Sequence, residues 1–200
     1  ITDGEGIERT ENYAITYVPG TLEIKPNDVT IEIASIGETW TYDCENHTNE
    51  VYTVKYGDTE LSPAADGKTF TLPTGDELVI TPTAAGVKYI GDNADRNNTF
   101  TYVLANDAQY KGDRDTTYGT LSIAKKALTI TADDAEKKYD GTALTKNTYG
   151  NSELAPCDQI ESVKVEGSIT MIGTTPNVAS AAVITDGEGI ERTENYAITY

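Results

Sequence analysis

The feature that most constrains this chain is a perfect copy of its first seventeen residues at its end. The sequence ITDGEGIERTENYAITY fills residues 1–17 and again residues 184–200, so equivalent residues are 183 positions apart. Perfect copies of turn-type residues at a fixed spacing are typical of a recently duplicated tandem array. At roughly 100 to 150 residues per domain, a unit of this length holds one large domain or two small ones.

A second, weaker repeat inside the unit favours two modules. The sequence PGTLEIKP at residues 19–26 is echoed by YGTLSIAK at residues 118–125, and an alternating apolar run follows each of them. Thr41-Tyr42-Asp43 and Lys138-Tyr139-Asp140 lie at similar distances from those runs. We therefore predict three parts: residues 1–26 as the end of a preceding module B, residues 27–126 as module A, and residues 127–200 as a module B without its final strand.

This division predicts an unpaired strand in the first part and a missing strand in the last. Residues 21–24 would complete a module B, whereas residues 127–200 need the strand that residues 21–24 represent. We expect neighbouring repeats of the same protein to be partners, with one chain able to donate this strand to the next. Residues 18–24 that pair only within their own chain, or that lie disordered, would contradict this expectation.

The residue pattern predicts strands rather than helices. Ile31 and Ile33 alternate with polar residues, as do Val163 and Val165, and thirteen Tyr and seventeen Gly make a composition of strands and turns. We predict an all-β fold of two small, Ig-like β-sandwich modules per repeat, with β-grasp-like modules as the alternative. Only residues 25–28 separate the last strand of one module from the first strand of the next, so the modules should stack end to end.

Charge and apolar content exclude two classes of partner. The net charge of −18 argues against nucleic acids and anionic membranes. No apolar run approaches the roughly 18 residues of a membrane-spanning helix, so we expect no membrane insertion. The two cysteines, Cys44 and Cys157, lie at unrelated places in different modules, and we predict two free, buried thiols rather than a disulfide. So few cysteines leave the cellular compartment open.

Several of these residues resemble a known family. Leu128-Thr129-Ile130, then Lys138-Tyr139-Asp140-Gly141-Thr142, and the segment from Asn12 to Ile24 resemble the YDG/MBG-type tandem repeats of large bacterial cell-surface adhesins. The resemblance covers module B well, whereas module A has Cys44 where the family has a glycine. It implies extracellular all-β spacer or adhesive modules, with no catalytic role, on the cell wall of a Gram-positive bacterium.

One acidic loop offers ligands for a metal ion. Calcium takes six to eight oxygen ligands, and this loop supplies alternating side-chain oxygens from Asp92, Asn93, Asp95 and Asn97. The glycine and the terminal glutamate of an EF-hand loop are both missing, which favours a solvated loop instead. Calcium is the only cofactor for which the sequence supplies more than two candidate ligands in one place.

The sequence predicts no enzyme. Cys44 and His47 supply two ligands of a zinc site, but no second pair occurs in the unit. The same two residues lack a recognisable third group for nucleophilic catalysis.

Two functions therefore stay open. The first is a structural stalk or spacer that projects a distal binding domain from the cell wall. The second is a repeat that itself binds mucin, a glycan or a host protein and gains avidity from its copies. Exposed aromatic side chains in a groove would favour binding, and Trp40 and Tyr52 are the two to inspect.

Overall fold

Short strands make up almost all of the regular structure. A computed structural model describes residues 1–200, with fourteen strands and four 3₁₀ turns of three residues each. The strands are β1 Ile31–Ser35, β2 Glu38–Thr41, β3 Tyr52–Tyr56, β4 Thr59–Leu61, β5 Thr69–Thr71, β6 Glu77–Pro82, β7 Phe100–Leu104, β8 Arg114–Thr117, β9 Leu121–Ala124, β10 Lys126–Ala132, β11 Tyr149–Asn151, β12 Asp158–Glu166, β13 Val178–Asp186 and β14 Tyr196–Thr199. The all-β prediction is confirmed, and no helical segment is of a length and hydropathy that would cross a bilayer.

Module A contains three small sheets, the third being the pair β2-β9, and module B contains two, with opposing sheets packed over an apolar core. In module A the four-stranded sheet β4-β3-β1-β8 packs against the three-stranded sheet β5-β6-β7. Alternate residues of β1 and β6 point into this core, because successive side chains of a strand face opposite sides. In module B the sheets are β11-β10-β14 and β12-β13. The arrangement is sandwich-like in both modules.

The two modules follow the same pairing plan. β1 takes β3 as an antiparallel partner and β8 as a parallel one, and β10 takes β11 and β14 in the same senses. An asparagine clamp also recurs, with Asn98 buried and its counterpart Asn177 half-buried. The Asn98 amide donates to the carbonyl oxygens of Ile36 and Asn49, each at 2.8 Å. The equivalent Asn177 amide donates to Asp133 and Lys146, each at 2.9 Å.

A nearly continuous strand crosses from module A into module B. β9 pairs in parallel with β2, and β10 begins after the single residue Lys125. A single apolar cluster then combines residues of both modules, which are Tyr42, Cys44, Val87, Leu121, Ile123, Leu128, Ile130, Ala155, Ala179, Ala182, Ile184 and Tyr196. The modules therefore share a core at their boundary.

Residues 1–26 contain no strand. Residues 1–12 form a closed loop that ends in a 3₁₀ turn, and residues 13–26 run on with side chains that are mostly exposed. Leu22 and Ile24 are fully exposed. The pairing of residues 18–24 within their own chain, which would have contradicted the strand-donation prediction, is not observed.

Candidate functional site: the junction of the two modules

The two cysteines form a disulfide across the junction, so the prediction of two free thiols is wrong. Cys44 lies in the loop after β2 and Cys157 in the turn before β12, with Cα atoms 6.1 Å apart. Their places in the two modules are unrelated, but end-to-end stacking brings opposite ends of the modules together. Disulfides are typical of proteins outside the reducing cytosol, so the bond points to a non-cytoplasmic location.

Cys44 occupies a backbone conformation that module B gives to glycine. Its φ is 75°, and φ of the equivalent Gly141 is 78°. The preceding aspartates also match, because Asp43 accepts the amide of Glu45 and Asp140 accepts the amide of Thr142, both at 2.9 Å. Module A thus keeps the turn of the YDG pattern and replaces its glycine with a cross-linked cysteine.

Three tyrosine rings pack beside the disulfide. The fully buried Tyr42 ring meets the Tyr196 ring edge-on, with centroids 5.6 Å apart, and the Tyr89 ring is tilted at 6.2 Å. The Tyr196 hydroxyl donates to the Asp158 carboxylate at 2.7 Å and accepts the Ala155 amide at 3.0 Å. Edge-on aromatic pairs of this kind add stability beyond the area that they bury.

Polar contacts from the duplicated segment complete the junction. The Arg192 guanidinium lies 3.9 Å from the centroid of the Tyr89 ring and forms an ion pair with Asp186 at 2.9 Å. Asn195 is fully buried, and its side-chain oxygen accepts the Ile90 amide of module A at 2.9 Å. These residues recur as Asp3, Arg9 and Asn12 in the first copy, where no module lies against them.

Burial controls the ionisation of the tyrosines. Desolvation raises the pKa of Tyr42 and Tyr196 well above the ordinary value, and the neighbouring Asp158 carboxylate raises both further. The folded protein therefore disfavours the ionised form of both hydroxyl groups.

The same place holds the one cluster of metal-type ligands within reach of each other. The sulfurs of Cys44 and Cys157 and a carboxylate oxygen of Asp158 all lie within 4.8 Å of one another. Reduced, they would offer three ligands of the kind that zinc binds. As a disulfide the sulfurs are bonded to each other, and the site is a cross-link.

The four residues predicted to bind calcium have other contacts. Asn93 clamps the backbone of Ile123, accepting its amide at 2.7 Å and donating to its carbonyl at 2.9 Å. Asn97 clamps Leu121 in the same way, at 2.7 and 2.9 Å. Asp92 accepts the backbone amides of residues 88 and 89, and Asp95 is exposed. Hydrogen bonds to the protein thus account for three of the four, and calcium binding there stays a prediction.

Neither aromatic residue singled out for a binding groove provides one. Tyr52 is buried in the core of module A. Trp40 is half-buried and stacks on His47, with ring centroids 4.9 Å apart, and His47 bonds to Asp43 at 2.9 Å. His47 therefore contacts Trp40 and Asp43 rather than Cys44.

Comparisons with known proteins found no match to this chain. No protein-family model matches it, and neither a curated protein nor a solved structure does.

Proposed function

We propose that this chain is a structural spacer from an extracellular tandem array, in which modules A and B form one stiff unit. The observation that carries the proposal is the junction, where a shared apolar core, a disulfide and a nearly continuous strand link the two modules. Each of these restraints resists bending. A flexible linker, by contrast, would leave the modules free to rotate.

The resemblance to YDG/MBG-type repeats extends this proposal to a location. The spacer would belong to a bacterial cell-surface adhesin and project a distal binding domain from the cell wall of a Gram-positive organism. The disulfide suits an extracellular place. The net charge of −18 suits a crowded array, because like charges keep neighbouring copies apart.

A finer proposal concerns the fold of each module. We propose Ig-like sandwiches rather than β-grasp-like modules, because two sheets face each other over one core and no helix packs on either sheet. Both modules carry a parallel pair, β1 with β8 and β10 with β14, in otherwise antiparallel sheets.

Small-angle scattering tests the spacer proposal. We expect the oxidised chain to scatter as a single rigid particle, because the two modules cannot move independently. Binding assays against mucins and glycans should give no signal, since Tyr52 is buried and Trp40 stacks on His47. A profile that requires two independently moving bodies would disprove the stiff unit, and specific binding to a glycan would favour the adhesive alternative.

A further inference from the structure

We propose that this repeat carries tension, and that a ladder of parallel strands through modules A and B is the element that bears it. The proposal rests on the array function proposed above and adds a mechanical role to it. Its basis is the way in which strands of the two modules overlap along the direction of the chain, as their pairing registers define it.

The first overlap lies within module A. β1 pairs in parallel with β8, and β2 pairs in parallel with β9. In both pairs the opposite residues are 83 positions apart, and the parallel bridge between Asn27 and Tyr110 keeps the same separation. β1 and β2 therefore act as one strand that lies in a single register along β8 and β9.

The second overlap lies at the start of module B. β10 continues β9 after Lys125, and its first residue, Lys126, lies opposite Tyr196 at the start of β14. At the end of β2, the Tyr42 amide donates to the Ala124 carbonyl oxygen at 2.9 Å. The end of β2 thus meets the start of β14 along one edge of the nearly continuous strand β8-β9-β10. The Tyr42 and Tyr196 rings touch at this point, with centroids 5.6 Å apart.

The opposite edge of the long strand is held by its own modules. Asn97 and Asn93 bond to both backbone groups of Leu121 and Ile123 in β9, and β11 pairs with β10. These contacts fix the long strand in both modules. A force along the chain must therefore slide β2 and β14 past it.

Tension along the array loads both overlaps in shear. The chain runs into module A through β1 and onward from module B through β14, and the long strand is parallel to both. Pulling draws β1 and β2 backward along β8 and β9, and it draws β14 forward along β10. The hydrogen bonds of a parallel ladder are evenly spaced, so this force stretches them together. Bonds that share a force resist it better than bonds that break one after another.

The disulfide lies where β2 ends and β14 begins. Cys44 is the second residue after Tyr42, and Asp158, which follows Cys157, accepts the Tyr196 hydroxyl at 2.7 Å. In the oxidised chain this link opposes the sliding of β2 along β9. In its absence the first overlap depends on the ladder alone, so a chain without the bond measures the ladder directly.

Single-molecule force spectroscopy with two pairs of attachment points tests the ladder. The background is the full chain with Cys44→Gly and Cys157→Ser, in which introduced cysteines are the only thiols. Attachment at Lys25→Cys and Lys125→Cys pulls along the strands, because these exposed residues lie at opposite ends of the first overlap. Attachment at Lys25→Cys and Lys111→Cys uses two exposed residues at the same end and opens the overlap one bond at a time.

The two pairs of attachment points should give different rupture forces. We expect the pair at opposite ends to require several times the force of the pair at one end, at the same pulling speed. The folded chain is alike in both measurements apart from the position of one lysine replacement. Equal forces, or a lower force for the pair at opposite ends, overturn the proposal.

Two proline variants identify the hydrogen bonds that carry the force. The Glu38 amide donates to the Thr120 carbonyl oxygen at 2.9 Å, whereas the Thr39 amide points away from β9, because successive amides of a strand face opposite edges. Glu38→Pro removes this bond and should lower the rupture force of the pair at opposite ends. Thr39→Pro is the matched control and should leave the force unchanged. An equal loss in both variants, or a loss in neither, overturns the role of the ladder.

Failure of this proposal differs from failure of the spacer function. Equal rupture forces together with a rigid scattering profile leave the spacer standing without a ladder that bears tension. A scattering profile of two independently moving modules contradicts the spacer function itself.

Discussion

At the scale of single residues, Cys44 combines an unfavourable backbone conformation with a covalent bond. A side chain at positive φ costs on the order of 1 kcal/mol, which glycine avoids. Closing a loop between residues 113 positions apart stabilises a protein by about 2–4 kcal/mol in typical measurements. The disulfide therefore outweighs the backbone strain as long as it is oxidised.

Replacing Cys44 separates these two effects. Cys44→Ala and Cys44→Gly, each with Cys157→Ser, should both lose about 2–4 kcal/mol of unfolding free energy with the bond. The glycine variant should recover on the order of 1 kcal/mol of it, since φ of 75° suits glycine. Urea denaturation measures both differences, with the reduced wild-type chain as the control. Equal stability of the two variants would contradict the strain at Cys44.

The buried tyrosines predict a loss of stability at alkaline pH. The pKa of Tyr42 and Tyr196 is raised in the folded protein, first by burial, and is about 10 in the unfolded chain. Their stabilising contribution is fully present below about pH 10 and is lost as the pH rises toward the folded-state pKa. Ultraviolet absorbance should show their ionisation together with unfolding, and Tyr42→Phe should reduce that late step. Ionisation of both residues in the intact fold would contradict the prediction.

At the scale of elements, two asparagine side chains take the place of a neighbouring strand. β9 has β2 on one side, and on the other the amides of Asn93 and Asn97 bond to both backbone groups of Ile123 and Leu121. These contacts satisfy an edge that would otherwise be unpaired. The segment that contains the candidate calcium ligands therefore binds the free edge of β9.

Removing one clamp should weaken β9 locally. Asn97→Ala leaves the Leu121 amide and carbonyl without partners and should cost about 1–3 kcal/mol of unfolding free energy, with faster hydrogen exchange at Leu121. Asp95→Ala, at an exposed side chain in the same segment, is the control and should stay within about 0.5 kcal/mol of the wild type. Equal effects of the two changes would exclude a specific role for the clamp.

Calcium addition distinguishes the two interpretations of this segment. We expect the melting temperature to be unchanged by calcium, because the side-chain oxygens of Asn93 and Asn97 already accept backbone amides. The matched measurement uses magnesium at the same concentration. A rise in melting temperature with calcium but not with magnesium, absent from the Asp95→Ala variant, would support a calcium site in this segment.

Local structure could be predicted where it depends only on residues that are close together in the sequence. The duplicated loop shows this, because Asp3 accepts the amides of Glu5 and Ile7 at 3.0 Å in a copy that no module covers. Asp186 accepts those of Glu188 and Ile190 at 3.0 and 2.9 Å in the copy at the junction. Alternation likewise located the strands β1 and β12, because one face of a strand is more buried than the other.

At the scale of the whole molecule, the sequence did not predict which residues of the two modules contact each other. Cys44 and Cys157 are unrelated within the repeat, so only the stacking of opposite module ends brings them together. Local alternation likewise does not reveal that β9 pairs in parallel with β2, because the partners are about 80 residues apart. The one local signal of the disulfide was a cysteine in place of the glycine of the YDG turn. A residue other than glycine is strained at that position, so its presence there indicates a compensating interaction.

The disulfide also decides how far the chain can lengthen under tension. When the two ends are pulled apart, the backbone between Cys44 and Cys157 is bypassed by the bond and cannot extend. With 113 residues of separation at roughly 3.5 Å each, about 400 Å of contour length stays hidden until the bond is reduced. Single-molecule stretching with and without reductant should differ by this length. An oxidised repeat is thus a short tether, and reduction turns it into a long one.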